Sequence, residues 1–170
     1  RVIIGADMND GANGPDSGHA RVYQLTGGAW EQLGGDIDGE AGDDRSGYSV
    51  AMNAAGDRVI IGANLNDGNG VTSGHARVYA YDGTAWAQLG ADIDGEAAGD
   101  GSGISVAMNA AGTAVIIGAN VNDGNGDASG HARVYAYDGT AWEQFGADID
   151  GEAAGDQFGI SVAMSASGLA

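Results

Sequence analysis

The chain has 170 residues, including 33 Gly, one Pro and no Cys, and its 24 Asp and Glu against six Arg give a formal net charge of -18. A field of that sign repels nucleic-acid phosphates and anionic lipid surfaces and favours cations, cationic partners or plain hydration, which excludes nucleic-acid binding. Without Cys there is no disulfide framework, thiolate metal site or thiol nucleophile, and no run reaches the ~18 apolar residues of a membrane span, so no membrane insertion is expected.

The first residues, Arg1 to Ala6, form a strand-like run with no initiating Met and no basic-then-apolar leader, which reads as a piece processed or excised from something longer. The chain then repeats itself. Trp30, Trp86 and Trp142 stand 56 residues apart, as do His19, His75 and His131. Gly5 to Gly62 is 57, which places one extra residue in the Asp10 to Gly18 loop of the first copy. Three units follow, 1–57, 58–113 and 114–170.

In the middle of the chain, Ser49 to Asn53 reads as a short strand, then a tight Ala54-Ala55-Gly56-Asp57 turn, then the apolar run Val59-Ile60-Ile61, which predicts a strand buried on both faces. The Asn- and Gly-rich stretch Asn64 to Gly74 is a loop. His75 to Tyr81 alternates as a strand, and Asp82-Gly83 signals a hairpin into a strand at Trp86 to Leu89. The Asp92 to Gly103 connection leads to the next Ser-Val-Ala-Met strand, and no helix signal appears. Four short antiparallel strands in meander order, repeated in tandem, predict an all-β fold of β-propeller blades with three repeats. In such blades Trp86 and Tyr79 are expected to pack between neighbouring units.

Phe158-Gly159 with Ser161-Val162-Ala163, Gly62-Ala63-Asn64 and Gly118-Ala119-Asn120, and Gly74-His75-Ala76-Arg77-Val78-Tyr79 occur in fixed order. On these residues the chain resembles the FG-GAP repeats of integrin α-subunit propellers. Ser46-Gly47-Tyr48 and Ser102-Gly103-Ile104 keep the glycine without the Phe, and Asn or Asp stands where the GAP half has Pro. Family members that hold calcium carry an Asp-x-Asp-x-Asp-Gly loop between the first two strands. The matching turn here, Asn53 to Asp57, has one carboxylate, too few for an ion that wants six to eight oxygen ligands, so that calcium site does not carry over.

The acid lies elsewhere. In a four-strand meander the second-to-third and fourth-to-first connections share one end, and these are the loops rich in Asp, Asn and Gly. Asp92, Asp94, Glu96 and Asp100, with their copies Asp36, Asp38, Glu40 and Asp44 and Asp148, Asp150, Glu152 and Asp156, have a spacing that could wrap a hard cation such as Ca2+. Turn geometry and hydration explain the same residues without an ion. His75 and Arg77, and their copies, share one face of the third strand; recurrence in every unit points to structure rather than catalysis, with Arg77 paired to a carboxylate and His75 capping the loop.

These features predict a non-catalytic extracellular or cell-surface repeat protein for adhesion or structural assembly, whose acidic loop face meets Ca2+ or protein or glycan ligands. A lectin-like propeller using Trp30, Trp86 and Trp142 as stacking platforms is the alternative, and a non-catalytic module of a secreted hydrolase the third. Propellers close with four to eight blades, so three leave unpaired edges, which predicts self-association or continuation in a longer chain.

Overall fold

The computed structural model describes residues 1–169 and contains, among these, no helix. Fourteen strands form three antiparallel sheets. The second sheet shows the complete unit: β5 (Ser49–Met52), β6 (Arg58–Ala63), β7 (His75–Tyr81) and β8 (Trp86–Gln88) pair in chain order, and the two-residue β9 (Ile93–Asp94) pairs with the start of β7. The third sheet repeats it with β10 (Ser105–Met108), β11 (Ala114–Ala119), β12 (His131–Tyr137), β13 (Trp142–Gln144) and β14 (Ile149–Asp150). The first sheet has β1 (Val2–Ala6), β2 (His19–Thr26), β3 (Ala29–Gln32) and β4 (Ile37–Asp38), and so four strands where the others have five.

The sheets run out of phase with the sequence units. β5 lies within 1–57 yet pairs with β6, in the register Ser49 to Gly62, Val50 to Ile61, Ala51 to Ile60 and Met52 to Val59. The second and third sheets therefore each take their first strand from the tail of the preceding unit. The turn between these strands is closed by Asn53, whose Oδ1 accepts the amides of Asp57 and Arg58 at 3.1 and 3.0 Å. The hairpin at Asp82 is fixed in the same way, its Oδ1 accepting the Thr84 and Ala85 amides.

The two-residue period of a strand sends alternate side chains to opposite faces, and the second sheet packs both of its faces against neighbours. Val59, Ile61 and Tyr79, with Trp86 beside them, meet Ala20, Val22, Leu33 and Ile37 of the first sheet. On the other face Ile60, Ala76, Val78 and Ile93 meet Val106, Met108, Val115, Ile117 and Tyr135 of the third. This is why the Val59-Ile60-Ile61 run is apolar without alternation. The indole Nε1 of Trp86 donates to the Leu33 carbonyl at 2.7 Å, and that of Trp142 to the Leu89 carbonyl at 2.7 Å, so the same bond fastens both junctions. The sheets approach so closely at Gly62 and Gly118 that a Cβ there would overlap the carbonyls of Gly103 and Gly159.

Candidate metal centre between the sheets

The two acidic connections of a unit lie together at one end of the sheet. Amides of Gly99, Gly101 and Ser102 donate to carbonyls of Val71, Thr72 and Ser73, and Asn69 Nδ2 reaches the carbonyls of Gly95 and Glu96. Adjacent loops are thus fastened side by side, and the carboxylates they carry are held at the junction between sheets.

The run Asp92, Asp94, Glu96 and Asp100 does not wrap around one point. β9 forms inside it, a strand too short to stand out among Asp and Gly, and its pairing with β7 carries Asp92 and Asp94 to His75. Glu96 continues across to the next sheet and faces His131 at 3.7 Å and Arg133 at 3.6 Å. Asp100 turns back, accepting the Ala97 amide and the Asn122 side chain, and is buried. In the first copy Asp44 does the same with Ala41 and Asn66, while Glu40 reaches the second sheet. In the last copy Asp156 caps Ala153, Asp148 joins His131, and Asp150 and Glu152 are exposed.

What gathers is a histidine from the third strand with acids from two sheets. Glu40, His75 and Asp92 form one group, and Glu96, His131 and Asp148 the next, with ligand atoms within 4.8 Å of one another; His19, Asp36 and Asp38 form a third without an acid from a neighbour. The middle group is the most telling. His75 is 1 % exposed, and its buried Nδ1 has no hydrogen-bond partner. That atom lies 4.0 Å from Glu40 Oε2, 3.8 Å from Asp92 Oδ2 and 3.9 Å from Asp94 Oδ1. These separations are too long for hydrogen bonds, but ligands each about 2.1 Å from one ion stand about 3 to 4 Å apart. His75 therefore does not cap the loop as the sequence suggested. The group could hold a metal ion.

Arg77 pairs with a carboxylate as expected, and the carboxylate comes from the preceding sheet: Nη1 lies 3.2 Å from Glu40 Oε1, and Nη2 donates to the Asp38 carbonyl at 3.0 Å. Glu40 thus gives one oxygen to Arg77 and turns the other to His75. Burial, and then the Arg77 charge, push the His75 imidazole down to about 4, which leaves it neutral at neutral pH. His131 is lowered for the same reasons. Burial raises Glu40 and Asp94, and neighbouring carboxylates add to both.

Trp86 and Trp142 are half-buried with their indole N–H groups engaged, so neither offers a free stacking platform; Trp30 is exposed. Compared with known proteins, the chain matches no family model and no curated relative.

Proposed function

We propose that this chain is a non-catalytic, extracellular or cell-surface repeat of FG-GAP-like propeller blades that serves adhesion or structural assembly, with a divalent cation held at the acidic junctions between sheets. The observation that carries this reading is the recurrence of one joint: the same His, the same Asp and a Glu from the preceding sheet meet at both internal junctions. A repeated joint strengthens a stack, whereas a reaction needs one asymmetric constellation. The acidic surface suits a strongly hydrated protein of the kind found outside the cell.

The imidazole in each group alters the expected ion. Calcium selects an all-oxygen cage, whereas mixed imidazole and carboxylate ligands suit Zn2+, Co2+, Ni2+ or Mn2+. Thermal melts of chelated protein, repeated with Zn2+ or Ca2+, test this. Zn2+ is expected to raise the melting temperature, by the linkage of binding to folding, and Ca2+ to do so less. Replacing Glu40 and Glu96 together by Gln is expected to remove the shift. A melting temperature indifferent to both ions would overturn the cation reading.

A further inference from the structure

We propose that Asn13, Asn69 and Asn125 are sites of spontaneous deamidation, and that conversion of their side-chain amides to carboxylates unfastens the acidic connections and frees Glu40 and Glu96 from the next sheet. The proposal does not rest on a bound cation.

Three observations single these residues out. The first joins sequence to exposure. Of the ten asparagines, only Asn13, Asn69 and Asn125 are exposed, and only they precede a glycine. The other seven are buried or half-buried and are followed by Ala, Leu, Val or Asp. A side chain on the following residue hinders the approach of that residue's backbone nitrogen to the asparagine Cγ, and glycine has none.

The second is what the amide does. Asn13 Nδ2 donates to the Gly39 carbonyl at 2.6 Å, Asn69 Nδ2 to that of Gly95 at 2.9 Å and Asn125 Nδ2 to that of Gly151 at 2.9 Å. Asn69 also reaches the Glu96 carbonyl at 2.9 Å. A carboxylate has no proton to donate, so conversion sets a negative charge against these carbonyl oxygens. The third is where the carbonyls lie. Gly39 stands between Asp38 and Glu40, whose carbonyl and carboxylate hold Arg77, and Glu40 also faces His75. Gly95 stands between Asp94 and Glu96, which meet Arg133 and His131 in the same way. Each of these asparagines therefore fixes the turn from which one sheet reaches the next.

The reaction consumes only water. The Gly70 backbone nitrogen bonds to Asn69 Cγ, the Cγ–Nδ2 bond breaks, and ammonia leaves with the proton of the Gly70 amide, giving a cyclic imide. Water opens that ring to aspartate or isoaspartate, with no change in oxidation state. The folded loop restrains the first step. The amides of Gly14, Gly70 and Gly126 donate to the carbonyls of Gly11, Asp67 and Asp123 at 3.3, 3.2 and 3.1 Å, while the side-chain amides are tied down as above. Both holds must open together, which an exposed loop does without global unfolding. The change is one-way, so each loop keeps a record of having opened.

Folded protein and protein in denaturant are incubated in mildly alkaline buffer, and conversion of Asn to Asp is read by peptide mass mapping, which ignores isomerisation at the Asp-Gly steps because that leaves the mass unchanged. In both states the three sites are expected to convert before any other asparagine. In the folded protein they are expected to do so at least about tenfold more slowly, the factor given by a local opening free energy of about 1.4 kcal/mol. Converted chains, separated by anion exchange, are expected to melt about 2 to 4 °C lower per site, as are Asn13→Asp and Asn69→Asp. The release of Glu40 is read by a double-mutant cycle: Arg77→Met is expected to cost clearly less in Asn13→Asp than in the wild type. A buried asparagine converting first in the folded protein, or converted chains and aspartate variants that melt with the wild type, would overturn the proposal; strictly additive losses in the cycle would overturn the release of Glu40.

Discussion

The first sheet and the second are built from nearly the same residues, yet their side chains live differently. Val59, Ile61, Trp86 and Arg77 sit at a closed junction, while Val2, Ile4, Trp30 and Arg21 hold the same strand positions with nothing in front of them. Burial in this molecule is therefore a property of the junction, and the residue type only permits it. The contrast separates what a sheet does by itself, such as the hairpins and the His19–Asp38 pairing, from what it gains from a neighbour.

The sharpest way to break the comparison is to make one change at equivalent positions. Ile61→Ala removes fully packed carbons between two sheets and leaves a cavity, for which a loss of about 2 to 5 kcal/mol is expected. Ile4→Ala removes a side chain already half in water and is expected to cost less than about 1 kcal/mol under dissociating conditions. Denaturant melts of the two variants at low protein concentration check this. Equal losses would mean that the first sheet is covered in solution even when dilute.

Arg77 and Arg21 sharpen it further. Arg77→Met takes a buried guanidinium away from the partly exposed Glu40 carboxylate and from the Asp38 carbonyl, and about 1 to 2 kcal/mol of stability is expected to go with it. Arg21→Met breaks an ion pair open to water, 41 % exposed on the arginine side, and no measurable change is expected in the same melt.

Much of this architecture was legible from the period. Strand positions, the doubly buried Val59-Ile60-Ile61 run and the shared end of the acidic loops follow from alternation and turn residues, which are local. The ion groups were not legible, because their members are brought together by packing. Glu96 and His131 are 35 positions apart and belong to different sheets, and the Asp92 to Glu96 spacing, which mimics a local calcium loop, is split by β9. The usable signal was the histidine itself, present once per unit beside an arginine and always one strand away from the acids.

That histidine supplies the smallest expected effect. In chelated protein the folded-state value of His75 is about 4, below the 6.5 of an open chain. Between these values the unfolded state binds a proton that the folded state refuses, so stability falls as pH drops through this window and levels off below it. Glu40 and Asp94 face the same imidazole with raised values, and their uptake of protons acts in the opposite sense at lower pH. The measurement is accordingly a difference: from pH 7 to 5.5 the wild type is expected to lose about 1 kcal/mol more than His75→Gln, seen as a few degrees in melting temperature. Identical pH profiles would show that His75 is solvated, and with it that the junction between the first and second sheets is as open as the outer face of the first sheet.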